Sequence, residues 1–263
     1  MNLYELHAGD SPLLIDVPHA GRFLPPEIAA RLTPVARTAP DTDWHVDKLY
    51  DFARAAGATL VAATHSRIVA DLNRDPSGAA LYPGADNTEL CPTRTFADEP
   101  IYVEAAVPGS VEIAARRARY FDPYHAVLAR EIERIRSRHG HVVLLDGHSI
   151  RAEVPRFFAG RLPDLNLGTA GGASCAPDVQ AEAAGILASA VEFTHVVNGR
   201  FKGGYVTRHY GQPERAIHAL QLEMAQCIYL DEASPCRWDP RRAMPLGKVL
   251  ARLVDALSAW RPR

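Results

Sequence analysis

The chain has 263 residues, 47% of them hydrophobic and 23% charged, with a formal net charge of -2. This is the composition of an ordinary globular protein, and a domain of this length buries enough apolar surface to fold without disulfide staples. The near-neutral charge excludes a sequence-independent attraction to nucleic acid or anionic lipid, and no stretch approaches the roughly 18 apolar residues of a membrane span.

In chain order, apolar runs predict strands at Pro12–Val17, Ala58–Thr64, Val142–Leu145, Thr194–Val197 and His218–Leu222. Helical periodicity covers Glu27–Leu32, Val46–Ala56, the amphipathic stretch Tyr124–Arg138, Asp178–Val191 and Pro245–Trp260. Strands alternating with helices predict an α/β sandwich with a largely buried sheet. Two stretches break the rhythm: Asp71–Tyr102, rich in Asn, Asp, Pro, Gly and Thr, and Asn198–Pro213, with four glycines among basic and aromatic residues. Both read as site-forming loops rather than linkers, so a single domain over residues 1–263 is expected.

Residues 1–15 lack the basic start and apolar run of a secretory signal. Cys91, Cys175, Cys227 and Cys236 form no CxxC pair, which points to free thiols in a reducing cytoplasm.

Three polar clusters follow predicted strands: Asp16-Val-Pro-His19, Asp146-Gly-His148-Ser149, and Glu223 closing Ala219–Glu223. Ligands of open α/β sheets bind beyond the carboxyl ends of strands, so two histidines and a carboxylate there suit a metal or an acid–base site. A fourth cluster, Asp41-Thr-Asp43-Trp-His45-Val-Asp47, opens a predicted helix. Asp43 and Asp47 share a helix face if the helix extends that far back, although helix capping explains Asp43 about equally well. Arg67 and the pair Asn73-Arg74 flank the run Ile68–Leu72, and Arg208 lies in the glycine-rich loop. Arginine binds carboxylates bidentately, so the chain has the means to hold an acidic small molecule.

Ser149 lacks the Gly-x-Ser-x-Gly surroundings of a hydrolase nucleophile and reads as a supporting hydroxyl. Asp16 and Asp146 read as residues that orient ligands or cap strand ends. The remaining histidines read as surface or packing residues, with His209 set apart by its loop.

Six segments in register carry a resemblance: VPHAGRFLPPEI (17–28), DTDWHVDKLY (41–50), SRIVADLNRDP (66–76), LLDGHS (144–149), NGRFKGGYVTRHYGQP (198–213) and HALQLEMAQCIYLDE (218–232). With them the chain resembles the N-formylglutamate amidohydrolase family, distant cousins of the zinc carboxypeptidases. The resemblance implies a phosphorylase/hydrolase-like fold, a three-layer α/β/α sandwich around a mixed sheet. It implies metal-dependent hydrolysis of N-formyl-L-glutamate to formate and L-glutamate, the last step of one histidine-degradation route.

His19 and His148 would then be zinc ligands, with cobalt, manganese or iron also suited to such donors. Neither Arg22 nor Phe23 supplies the carboxylate of a His-x-x-Glu motif, so Asp47 is the expected third ligand, with Asp43 second and His45 third in order of preference. By the same resemblance Asn73-Arg74 would grip the α-carboxylate, Glu223 would act as the general base, and Arg67 would polarise the scissile carbonyl. The loop from Gly203 to Tyr210, with Gly204, Thr207 and His209, would close over the substrate, Arg208 meeting its second carboxylate. A hydrolase for another N-formyl or N-acyl amino acid, or a non-catalytic binder of acidic amino acids, are the rival readings; an intact Glu223 speaks against the second.

Overall fold

The computed structural model describes residues 1–81, 84 and 86–262. One seven-stranded sheet runs through it: β1 (Tyr4–His7), β2 (Leu13–Val17), β3 (Thr59–Ala63), β4 (Val142–Ile150), β5 (Leu165–Gly168), β6 (His195–Val197) and β7 (Ile217–Ala225). Its spatial order is β1-β3-β2-β4-β7-β5-β6. Strands β3, β2, β4 and β7 are mutually parallel, whereas β1 joins β3 and β5 joins β7 antiparallel. The sheet is therefore mixed, with its longest pairing, nine residues of β4 against nine of β7, at the centre.

The helices are α1 (Pro26–Ala29), α2 (Val46–Leu49), α3 (Ser110–Arg116), α4 (Asp122–His139), α5 (Pro177–Ser189), α6 (Tyr205–Tyr210) and α7 (Pro240–Ala259). Proline stands in the first turn of α4, α5 and α7, where its missing N–H has no helical partner to lose. Gly140, at φ 79°, ends α4 in the left-handed conformation that a glycine adopts without strain.

Alternation along the strands sends alternate residues to two apolar layers. On one side, Leu13, Ile15, Leu145 and Leu220 pack against α5 (Val179, Leu187) and the apolar stripe of α7 (Leu246, Leu250, Leu253, Leu257). On the other, Leu14, Leu144 and Ala219 pack against Leu128, Ile132 and Ile135 of α4 and against Val206 and Tyr210 of α6. Each such fully buried leucine or isoleucine contributes about 1.5–3 kcal/mol relative to exposure. The result is the expected three-layer α/β/α sandwich.

Several expected bounds shift. β4 and β7 run on through the polar residues Asp146, His148 and Glu223, which therefore sit within strands rather than after them. β1, β5, α3 and α6 are additional, and α6 lies inside the stretch expected to be irregular. Asp71–Tyr102 does hold no named helix or strand among its described residues; Tyr82, Pro83 and Ala85 within it lie outside them. Among the described residues no helix is long and apolar enough to cross a membrane.

Candidate metal centre and active-site cleft

The face of the sheet that is apolar beneath α4 turns polar toward the carboxyl ends of its parallel strands. Asp16 follows Leu14 on that face, Asp146 and His148 follow Leu144, and Gln221 and Glu223 follow Ala219. Strand register sets Asp146 beside Gln221 and His148 beside Glu223. On the opposite face Gly147 is required, because a Cβ there would lie 2.7 Å from Cε2 of Tyr50.

His19, just past β2, meets His148 with their Nδ1 atoms 3.2 Å apart. Oδ2 of Asp43 lies 3.0 Å from Nδ1 of His148 and 3.7 Å from Nδ1 of His19. Ligand bonds of about 2.0–2.1 Å in a tetrahedral zinc site put donor atoms about 3.3 Å apart, so these three atoms approximate one face of such a tetrahedron. All three residues are buried, and together they form a group able to hold a metal ion.

Both imidazoles are braced from behind. Asp71 Oδ1 lies 2.8 Å from Nε2 of His19, and Asp146 Oδ1 lies 2.7 Å from Nε2 of His148. A carboxylate there favours the proton on Nε2 and leaves the Nδ1 lone pair for a cation. Asp146 is flanked by Asn73, whose Nδ2 is 3.1 Å from its Oδ2. Ser149 supports the cluster through its backbone N–H, which donates to Asp43 Oδ2 at 3.1 Å. Its hydroxyl accepts from Tyr229 at 2.7 Å. Deeper still, Tyr124 donates to Asp16 at 2.5 Å.

The electrostatics follow from burial and neighbours. Burial opposes the charge on Asp43, yet bonds from His148 and His19 and the charge of Arg67 hold its carboxyl well below the usual range. Asp71 is likewise held low, the Arg67 guanidinium overcoming its burial. Burial opposes protonation of His148, but Asp146 and Asp43 keep its pKa well above the ordinary value. Glu223 is different: burial pushes it up to about 8, against the charges of His148 and Arg67. Its Oε2 accepts from Gln221 Nε2 at 3.2 Å.

A cleft opens over this group. His19, Asp43, Arg67, Asn73, Arg74, His148, Gly204 and Glu223 line it. Arg67 is fixed by Asp71, with Nη2–Oδ2 at 2.9 Å, and by Asp43, with Nη1–Oδ1 at 3.4 Å. Arg74 donates through Nε to Thr88 Oγ1 at 2.6 Å. Asn73 Nδ2 lies 2.8 Å from His148 Nε2, and its Oδ1 accepts from the Val206 N–H at 2.7 Å. Gly204 is obligatory at that contact, since a Cβ would lie 2.4 Å from the Asn73 amide.

Four sequence expectations change. Asp47 is not at the centre but lines a separate surface depression with Arg22 and Trp44. The cause is local: His45 has φ 63°, and α2 starts only at Val46, so the helix never reaches back to Asp43. His45 itself points elsewhere, its Nε2 lying 3.0 Å from the Pro235 carbonyl. Arg208 and His209 are exposed and line another depression with Tyr205 and Asp75, because α6 turns them outward. Thr207 is buried, its hydroxyl 3.4 Å from Asp146 Oδ2, and does not line the cleft. Sequence reasoning missed Asp71, whose signal was its place four residues after Arg67, and Arg200, which lines the cleft from the glycine-rich loop.

This α/β/α sandwich gathers two histidines, an aspartate and a buried glutamate at the carboxyl ends of its parallel strands, a group that could hold a metal ion beside a carboxyl able to exchange protons. The chain belongs to the N-formylglutamate amidohydrolase family, which it matches over residues 11–230. It is 47% identical to the N-formylglutamate deformylase of Pseudomonas putida, over 97% of this chain and 95% of that protein. It is 46% identical to the protein of the same name from Pseudomonas aeruginosa, over 96% and 94%. The crystal structure of N-formylglutamate amidohydrolase from Ralstonia eutropha JMP134 superposes with a TM-score of 0.81 at 27% identity, covering 98% of this chain and 97% of that one.

Proposed function

We propose that this protein is a metal-dependent amidohydrolase that converts N-formyl-L-glutamate and water to formate and L-glutamate. The observation that carries the reading is the meeting of His19, Asp43 and His148 in one buried group beside Glu223, in a chain of this family. Zinc is the first choice of ion, held by those three residues. A divalent ion held there would supply Lewis acidity, and positive charge that would favour ionised Glu223.

The chain's own residues do the rest. Glu223 accepts a proton from the water that attacks the formyl carbon, then returns it to the amine nitrogen as the C–N bond breaks. Arg67 supplies positive charge beside the developing oxyanion, and its bonds to Asp43 and Asp71 keep it in place. Asn73 holds Asp146 behind His148, and Arg74, next along the chain, takes the α-carboxylate. Asp71 and Asp146 keep the two imidazoles in the tautomer that offers Nδ1.

We read the chain as one catalytic domain, built on a single sheet, that performs the last step of a histidine-degradation route. The four free cysteines support a reducing cytoplasm as its setting. Incubating the purified, zinc-loaded protein with N-formyl-L-glutamate tests the reading. Formate and glutamate in equal amounts are expected; binding without turnover would leave only an acidic amino-acid binder.

A further inference from the structure

We infer that Gln221 is a positioning residue: it holds Glu223 in its proton-exchanging orientation and ties that orientation to docking of the glycine-rich loop. This rests on the role given to Glu223 above. Gln221 is buried within β7, lines the cleft, and shares its face of the strand with Glu223 two residues on.

A buried primary amide is satisfied by placing its oxygen on a donor and its nitrogen on an acceptor. The Gly204 N–H can only donate, so Gln221 Oε1 accepts from it, at 2.7 Å. That fixes the other end of the amide: Nε2 faces Glu223 and donates to Oε2 at 3.2 Å. An amide N–H supports the carboxyl in either protonation state, because it never takes the proton itself. A lysine or histidine at this place would compete for it. With Oε2 held by Gln221, Oε1 is the oxygen that exchanges the proton with water and amine.

The loop end of the link is as closely fitted. Gly204 precedes the first residue of α6, so its N–H has no partner within that helix. Gly168, the register partner of Gln221 on β5, has no side chain, and a Cβ there would lie 2.6 Å from the Gly203 nitrogen. The loop therefore lies directly on the sheet beside Gln221. Asn73 makes a matching link: its Oδ1 accepts from the Val206 N–H at 2.7 Å while its Nδ2 donates to Asp146 at 3.1 Å. Two amides thus hold the entrance to α6, one reaching the carboxylate behind His148 and the other reaching Glu223. Glu223 is fully oriented only when the loop that lines the cleft is seated.

The test is a double-mutant cycle on kcat for N-formyl-L-glutamate in the zinc-loaded protein. It uses Gln221→Met, Glu223→Gln and their combination, with KM, zinc content and thermal unfolding measured for each. Gln221→Met should lower kcat about 10- to 100-fold, the cost of a misplaced reacting group, and keep KM within about threefold of wild type. In the Glu223→Gln background the same substitution should cost less than about threefold, since a residue acting through Glu223 has nothing left to orient. A merely structural residue costs the same factor in both backgrounds, and that result overturns the assignment, as does a wild-type kcat in Gln221→Met. Gln221→Glu has nearly the same shape and keeps an acceptor for Gly204, so it carries the comparison if the Met variant unfolds or loses zinc. Its carboxyl repels Glu223 or shares a proton with it, and either takes the proton acceptor out of play; a wild-type kcat there also overturns the assignment. A wild type that releases no formate, or a fully active Glu223→Gln, overturns the reading on which this rests, whereas equal losses in both backgrounds of an active enzyme overturn this inference alone.

Discussion

His148 and Glu223 are register partners on the adjacent parallel strands β4 and β7. Parallel neighbours lie about 4.8 Å apart and project their side chains to the same face, so a metal ligand and a proton acceptor are set side by side by backbone pairing alone. Gln221, two residues earlier on the same face, ties Glu223 to the glycine-rich loop by accepting the Gly204 N–H at 2.7 Å.

From this arrangement, Glu223→Gln should lower kcat by about 10²- to 10⁴-fold, the usual contribution of general acid–base catalysis, and leave metal content intact. In the metal-free protein the same variant should alter the pH profile of stability. A carboxyl raised from 4.5 to about 8 by burial is best accommodated when protonated, so stability falls as pH rises through that interval. The glutamine variant should show a shallower fall in denaturant titrations. Metal loss in the variant would instead make Glu223 a ligand.

Asp43 and Asp47, neighbours in the same short segment, should behave oppositely. Asp43→Ala removes one of the three converging donor atoms and should abolish tight metal binding, whereas Asp47→Ala should keep a full complement of metal. Asp71→Asn retains the shape but weakens the carboxylate behind His19, for which a 10- to 100-fold loss of metal affinity is the usual cost. Metal analysis after dialysis against a weak chelator separates the three variants.

His125, outside the group of candidate ligands, makes a second pH-dependent contribution. Its Nε2 lies 2.9 Å from the Leu72 carbonyl and its Nδ1 3.0 Å from the Tyr210 hydroxyl, and burial lowers its pKa from 6.5 to about 4. A depressed histidine adds stability above pH 6.5 that disappears as pH falls toward 4, worth at most about 3.5 kcal/mol at about 1.4 kcal/mol per pH unit. His125→Gln should flatten the stability profile across that window. A profile with the same slope as wild type would locate the acid sensitivity elsewhere.

Gly147→Ala should lower stability by about 1–3 kcal/mol, because the added methyl meets the Tyr50 ring in a packed core. Adding Tyr50→Leu should recover part of that loss, which a double-mutant cycle on thermal unfolding would detect. Additive losses in the double variant would mean that the two side chains do not meet.

Much of this was legible in the sequence, and the failures have identifiable causes. Apolar runs mark β2, β3, β4 and β7, and 3.6-residue periodicity marks α4, α5 and α7. Polar residues embedded in β4 and β7 concealed how far those strands continue, since nine-residue pairing rather than hydrophobicity sustains them. β1 is a short edge strand with half its residues exposed, which leaves little apolar pattern to detect. The placement of His19, His148, Arg67, Asn73, Arg74 and Glu223 around one cleft follows motifs visible in the chain. Asp43 was harder to distinguish from Asp47, because a single left-handed residue, His45, decides which aspartate faces the histidines. Arg200 and Arg208 differ in the same way: a turn at Gly203 separates the residue that lines the cleft from the one that does not.

The central claim is that this chain hydrolyses N-formyl-L-glutamate with a divalent ion at His19, Asp43 and His148. The most direct measurement is formate release by chelator-stripped protein as zinc is added back. The account predicts no turnover without metal and activity rising to a plateau at one equivalent of zinc per chain. Full activity in the stripped protein, or no formate at any zinc concentration, would contradict it.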